Sequence, residues 1–478
     1  MTILALLLIW LWIQLAVVFL VEYRRPERAI SWIFLILIFP LFGLFLYAAL
    51  EWPYRRRGHR LRRAREERKR AAGSETLPLR MLTAPASGGT GNPGLDGCPE
   101  LLGPLLRLCG NPVTRGSASR VLPSAETAYD RMLEAIESAQ EHIHLEMYII
   151  RDDGSGKQFR SALIRKARQG VKVRLLLDGT GSRKLGRSFL DGLRAAGVKV
   201  HLFLPVALAL PAGAVNYRNH RKILVVDGSI AFTGGLNIGD EYLGGDPKLG
   251  CWRDTFLEMT GDAVYASQRV FLRDWRIAAG EQLLHPRLFP PHGLKGGEAV
   301  QIVASGPDQD LQALPALLSA AFSVAKSRLW IATPYFVPDQ ALALQIKTAV
   351  LKGVDVRILL PGVADGKLVK YATLSKVEEL LDAGVRFYRY RKGFLHAKVW
   401  IIDETAASVG SANLDMRSLY TNFELIALLF SPERIGELAE AFRQDLEDSE
   451  PIEPERFRQR PFKDRLKEEI CGLLAPLL

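Results

Sequence analysis

Asn219-His-Arg-Lys-Ile-Leu-Val-Val-Asp227 decides how this chain folds, because His396-Ala-Lys-Val-Trp-Ile-Ile-Asp403 repeats its pattern 176 residues later. Both stretches read His-x-Lys-x4-Asp. With only 8 histidines in 478 residues, one such match would be a weak signal, but a second copy with its surroundings is a strong one. Thr233-Gly-Gly-Leu-Asn237 follows the first copy, and Val409-Gly-Ser-Ala-Asn413 follows the second at the same offset. Paired histidines (His220, His396), lysines (Lys222, Lys398), aspartates (Asp227, Asp403) and asparagines (Asn237, Asn413) predict one centre built where two half-sites meet.

The duplication extends outward. Tyr148-Ile-Ile-Arg-Asp152 parallels Tyr335-Phe-Val-Pro-Asp339, and Gly170-Val-Lys-Val-Arg-Leu-Leu-Leu177 parallels Gly353-Val-Asp-Val-Arg-Ile-Leu-Leu360. Repeats of this length indicate a duplicated domain rather than a solenoid. Within each copy, apolar strands (143–150, 171–177, 198–204, 222–226) alternate with helical segments (158–169, 187–196), which predicts an α/β sheet with helices on its faces. Unbroken runs such as Ile-Leu-Val-Val suit strands buried on both sides. A Gly/Pro-rich break at 285–297 separates the copies, so domains are expected at 101–284 and 298–478.

Ahead of them, residues 2–21 and 29–50 are uncharged runs, each long enough to cross a hydrocarbon core. They predict a transmembrane hairpin over 1–54. Pro40 and Gly43 interrupt the second run and leave open a kinked or re-entrant arm. Residues 55–100 then hold a basic tract and a Gly/Pro-rich linker. Ten Lys and Arg between Arg55 and Arg70, against Glu66 and Glu67, account for +8 of the net +11. The remainder is therefore only slightly basic, which argues against a nucleic-acid groove and for a membrane surface. The positive-inside asymmetry between this tract and the short loop with Arg24, Arg25 and Arg28 places the catalytic halves in the cytoplasm. Four scattered cysteines and the absence of metal-ligand spacing predict reduced thiols and no metal. Two further segments could meet lipid: the apolar stretch 205–214, or else a packed loop there, and a C-terminal amphipathic helix at 462–477 that either docks on the domain or lies in the interface.

In an extended segment residues two apart share a face, so each His–Lys pair projects together at the exposed end of an apolar strand. Lysines and asparagines can hold the non-bridging oxygens of a phosphate. A neutral imidazole can attack phosphorus while a second, protonated one supplies the leaving group's proton. That scheme needs neither metal nor cofactor, but it does need the two imidazoles in different protonation states.

These motifs resemble the phospholipase D superfamily and, more closely, bacterial cardiolipin synthases of the membrane-anchored type. The segments 144–148, 219–227, 239–243, 333–339, 413–418 and 422–424 carry the resemblance, which covers nearly the whole chain. It implies two tandem α/β/α sandwich domains around one pseudo-twofold active site. His220 is then the nucleophile and His396 the general acid, with Lys222, Lys398, Asn237 and Asn413 on the phosphate. It further implies an acidic residue behind each imidazole, with Glu424 and Glu241 as the candidates. Asp227 and Asp403 are expected to organise the fold around each motif. The implied reaction transfers a phosphatidyl group between two phosphatidylglycerol molecules in the inner membrane, giving cardiolipin and glycerol. A lipid hydrolase, a transferase to another acceptor and a membrane scaffold with inactive repeats are the alternatives. The partners expected are phosphatidylglycerol and other anionic phospholipids, and no nucleic acid; the oligomeric state is left open.

Overall fold

The computed structural model describes residues 2–22, 26–50, 92–108, 110–205, 217–294, 297–308 and 313–475. The basic tract, most of the linker and the apolar stretch 206–214 lie outside them.

The first half contributes β1 (Thr114–Leu122), β2 (His142–Met147), β3 (Lys172–Asp178), β4 (Lys199–Phe203), β5 (Ile223–Val226), β6 (Ile230–Gly234), β7 (Cys251–Arg253) and β8 (Phe256–Gly261). The second contributes β9 (Glu298–Ser305), β10 (Arg328–Ala332), β11 (Asp355–Pro361), β12 (Arg386–Tyr390), β13 (Gly393–Leu395), β14 (Val399–Ile402), β15 (Ala406–Gly410), β16 (Glu424–Leu429) and β17 (Ser449–Pro451). Outward from the middle, one half runs β1-β8-β6-β5-β2-β3-β4 and the other β9-β16-β15-β14-β10-β11-β12-β17. The two orders match strand for strand apart from the added edge strand β17. β1 and β9 pair antiparallel at the centre, so the halves share one sheet.

Burial explains why the motif strands hold firm. Along β5, Leu224 and Val226 face a core with Leu145, Leu175 and Phe232, under the helices Ala125–Ser138, Gly154–Arg168 and Arg187–Ala195. Ile223 and Val225 face the opposite core, shared with Ile302, Leu425 and Ala427 of the second half, where Asp262–Ala279 and Pro432–Glu447 pack. This is the period-two alternation of a strand buried on both sides. Each fully buried side chain of this size contributes about 1.5–3 kcal/mol. The shared core makes the two repeats one body.

The helix expected from residue 158 begins four residues earlier. Asp153 caps it by accepting from the Gly156 amide, and the Asp240 carboxylate accepts from Gly154 and Ser155. Three side-chain acceptances satisfy amides that would otherwise be orphaned at a helix start.

One expectation is corrected, and for the second apolar run the interrupted alternative is the one found. Residues 92–108, assigned from sequence to the linker and the first half, pack on the second half. Asn92 Nδ2 donates to the Phe430 carbonyl (2.5 Å), and Leu95, Leu101 and Leu105 are buried with Leu317 and Phe322. The second hairpin arm is not one helix: Pro26–Ile38 and Gly43–Leu50 are separated where Pro40 lacks an amide proton. Gln14 of the helix Thr2–Glu22 bridges that break, donating to the Pro40 carbonyl (2.5 Å) and accepting from the Leu44 amide (2.8 Å). Among the described helices one, Ile3–Glu22, is long and apolar enough to cross a membrane.

Candidate active site

The two His–Lys segments lead directly into β5 and β14, and each is gripped by the opposite half. The His220 amide donates to the Phe423 carbonyl (2.9 Å), and the His396 amide donates to the Arg253 carbonyl (2.7 Å). Phe423 and Arg253 immediately precede an acid. The carboxylate of Glu424 accepts from His220 Nδ1 at 3.0 Å, and that of Asp254 accepts from His396 Nδ1 at 2.6 Å. Each half thus lends its acid to the other's histidine. A carboxylate can only accept here, so both imidazoles carry the proton on Nδ1 and leave Nε2 free for chemistry.

Glu424 therefore stands where expected, and Glu241 does not. Glu241 forms an ion pair with Arg151 (2.8 Å) in a partly exposed position. The acid behind His396 is Asp254, which sequence reasoning missed. Strand register marks it: Gly234 pairs with Phe256 and Gly410 with Ile426, and the acid lies two residues before that partner in each half. Counting along the chain fails because Asn237 to Asp254 spans 17 positions while Asn413 to Glu424 spans 11. The extra residues include β7, which pairs with β13 just ahead of His396.

Arg221, between His220 and Lys222, points away from the site and is fully buried. It donates to the Glu424 carbonyl (3.0 Å) and the Ser305 carbonyl (2.7 Å) and pairs with Asp274, so it ties the first motif to the strand that carries the acid. Ala397 holds the corresponding place in the second motif. The Asp254 junction is braced instead by Arg253, whose Nε donates to Asp445 (2.8 Å).

Lys222 Nζ and Lys398 Nζ each donate one hydrogen bond to the carbonyl of their own motif histidine, at 2.7 and 2.5 Å. Each ammonium keeps two further N–H groups. Burial pushes Lys222 down to about 7 and Lys398 to about 8, opposed chiefly by Glu424 and Asp254 respectively. Burial also pushes His220 down to about 4, with Lys222 and Lys398 assisting, and His396 to about 3, with Lys398 and Lys222 assisting. The scheme drawn from sequence requires different protonation states, but burial leaves both imidazoles neutral at pH 7. Negative charge placed beside the two lysines would offset their effect and raise both histidines.

Asn237 and Asn413 are buried near their motifs. Asn237 donates to Tyr242 and accepts from the Ile149 amide; Asn413 donates to Asp415. Each amide group therefore has one N–H committed to the protein and one remaining. Asp227 and Asp403, grouped with the catalytic set by the motif, are not in the centre: they sit at the far ends of β5 and β14, at φ +51° and +49°. Asp227 accepts from the amides of Gln140, Glu141 and His142, and Asp403 from those of Lys326, Ser327 and Arg328. Both brace a neighbouring strand and lie a strand's length from the imidazoles. Among the described residues no group of His, Cys, Asp and Glu has a metal-holding arrangement.

Comparison with known proteins agrees with this architecture. The family model described as "Cardiolipin synthase, PLD-like domain" matches residues 132–250 and 318–446. A cardiolipin synthase from Geobacillus kaustophilus is 41% identical over 468 residues, covering 98% of this chain and 92% of the relative. Cardiolipin synthase 2 of Bacillus anthracis is 40% identical, covering 97% and 89%. The crystal structure of phosphatidylserine synthase from Haemophilus influenzae matches with a TM-score of 0.58 at 15% identity, covering 75% of this chain and 95% of that one, and shares the fold. The chain belongs to the cardiolipin synthase family of phospholipase D-like proteins.

Proposed function

We propose that this chain transfers a phosphatidyl group from one phosphatidylglycerol to the hydroxyl of another, forming cardiolipin and releasing glycerol. The observation that carries this reading is the exchanged pair of acid–imidazole contacts, Glu424 on His220 and Asp254 on His396, with both lysines beside them. In the first step His220 Nε2 attacks phosphorus while His396 gives the leaving glycerol its proton. Lys222, Lys398 and the spare amide protons of Asn237 and Asn413 hold the non-bridging oxygens as charge develops. In the second step the acceptor hydroxyl gives its proton back to His396 and displaces His220. One phosphodiester replaces another, so no nucleotide is consumed. The first motif's resemblance to the family assigns His220 as the attacking group, and the Arg221 clamp and the Arg253–Asp445 brace hold the two acid–imidazole pairs in place.

The helix Thr2–Glu22 supports a membrane location. We place the enzyme in the inner membrane as a multi-pass protein with both catalytic halves in the cytoplasm. The test is the full chain with phosphatidylglycerol vesicles, followed by lipid product analysis. Cardiolipin and glycerol in equal amounts are expected, abolished in His220→Ala and His396→Ala. Phosphatidic acid without cardiolipin would overturn the transfer reading.

A further inference from the structure

A pocket of about 500 Å³ lies at the C-terminal ends of β11 and β12 in the second half. That volume falls within the range of about 300–1,000 Å³ usual for small-ligand sites. It adjoins the reaction centre through one aromatic residue, and a second is the repeat counterpart of a residue there. Phe394 lines it and packs 5.7 Å from His396, ring to ring. Tyr335 lines it and hydrogen-bonds the Asp365 carboxylate; Tyr335 is the repeat counterpart of Tyr148, whose ring lies 4.8 Å from that of His220.

Its lining mixes four basic groups, Lys370, Arg389, Arg391 and Arg460, with four acidic ones, Asp365, Glu450, Asp464 and Glu468, which suits a ligand carrying both a phosphate and hydroxyl groups. Asp365 offers an exposed carboxylate to hydroxyl donors, and Lys370 and Arg389 offer positive charge. Arg389 is the informative one. It is only partly exposed, burial depresses its basicity, and among the described residues its side chain makes no hydrogen bond. Its register partner on β17 is Glu450, whose charge offsets the burial in part, and its N–H groups remain available to a ligand.

The pocket's outer wall identifies the phase it serves. Asp464 and Glu468 of the helix Phe462–Leu474 line it. That helix docks through Glu468, Cys471 and Ala475, and Gly472 sits so close to Ser375 that a Cβ there would lie 2.6 Å from its hydroxyl oxygen. On the opposite side Phe462, Leu466, Ile470 and Leu473 are exposed at 76, 47, 37 and 41% in one stripe. The two outcomes contrasted from sequence, docked or interfacial, belong to two faces of one helix. Ser31 of the helix Pro26–Ile38 donates to the Leu473 carbonyl (2.5 Å), which ties this helix to the apolar N-terminal segment.

We propose that this pocket is the acceptor subsite, taking the phosphoglycerol headgroup of the second phospholipid while the helix that walls it lies in the bilayer surface. This rests on the transfer reading above. Leaving and incoming alcohols lie opposite the attacking His220, on the side of His396, and the pocket adjoins His396. There the acceptor oxygen forms its bond to phosphorus and the phosphorus–nitrogen bond to His220 breaks, its electron pair returning to the imidazole. The hydroxyl proton passes to His396.

The test uses the full chain in vesicles of phosphatidylglycerol diluted with phosphatidylcholine. Initial rates of cardiolipin and phosphatidic acid formation are followed against phosphatidylglycerol content, with Tm measured alongside. Arg389→Gln and Asp365→Asn are expected to raise KM for cardiolipin formation about tenfold and to increase the share of phosphatidic acid as water replaces the acceptor. Tm of Arg389→Gln is expected to stay the same or rise. Unchanged KM and product ratio in both variants would overturn the subsite, as would an Arg389→Gln that loses Tm while both products fall together. If the unaltered protein yields only phosphatidic acid, the transfer reading itself falls, and the subsite with it.

Discussion

Asp254→Asn is the sharpest perturbation, because only the folded chain nominates that residue. The side chain is fully buried, accepts from His396 Nδ1 at 2.6 Å and from the Thr255 amide at 2.8 Å, and is the strongest upward influence on Lys398. Asparagine keeps the shape and removes the charge, and if its amide turns toward Nδ1 it drives the imidazole proton onto Nε2. Removing one member of a buried charged pair costs about 3–5 kcal/mol. Expressed on the imidazolium that forms during reaction, this is about two to four orders of magnitude in kcat. Losing the carboxylate also lowers Lys398 below about 8, so the alkaline limb of the pH–rate profile moves to lower pH. Glu241→Gln is the control: its pair with Arg151 leaves both side chains about a quarter exposed and is worth at most about 1 kcal/mol. Cardiolipin formation in phosphatidylglycerol vesicles, read with Tm, decides the matter. Asp254→Asn retaining more than about a tenth of wild-type kcat, or a well-folded Glu241→Gln losing more than about a hundredfold, would refute the reasoning.

Arg221→Ala strands Asp274 in the core and frees the strand carrying Glu424. We expect a stability loss of about 3–5 kcal/mol and a fall in kcat, and thermal melts showing a wild-type Tm would contradict the clamp. Asp227→Asn and Asp403→Asn tolerate the left-handed backbone but weaken three amide contacts each. They should lose about 1–3 kcal/mol of stability with kcat per folded molecule nearly unchanged, and a collapse of kcat at full Tm would return these residues to the chemistry. Acid should destabilise the protein early. His142, His220 and His396 have folded values depressed to about 4, 4 and 3, so below about pH 6.5 the unfolded chain binds protons that the folded one refuses. Stability then falls by about 1.4 kcal/mol per pH unit for each such group until its folded value is reached. A Tm that stays flat from pH 7 to 4.5 would exclude this.

By itself the sequence determined the duplicated α/β architecture, the His–Lys pairs and the apolar N-terminus. These are local signals: strand periodicity, motif spacing and residue type survive reading in one dimension. Glu424 was legible only through the family resemblance carried by 422–424. Asp254 was not, because the added residues around β7 break the constant repeat offset, and only hydrogen-bond register restores the correspondence with Glu424. The place of residues 92–108 was hidden for a related reason, since Asn92 and its leucines find partners more than 200 positions away. Tertiary structure alone decided that each acid serves the other half's histidine, that Arg221 fixes one of these exchanges, and that both imidazoles rest neutral. Exchange across a pseudo-twofold axis needs two strand ends to meet in space, and the shared core behind β5 and β14 brings them together.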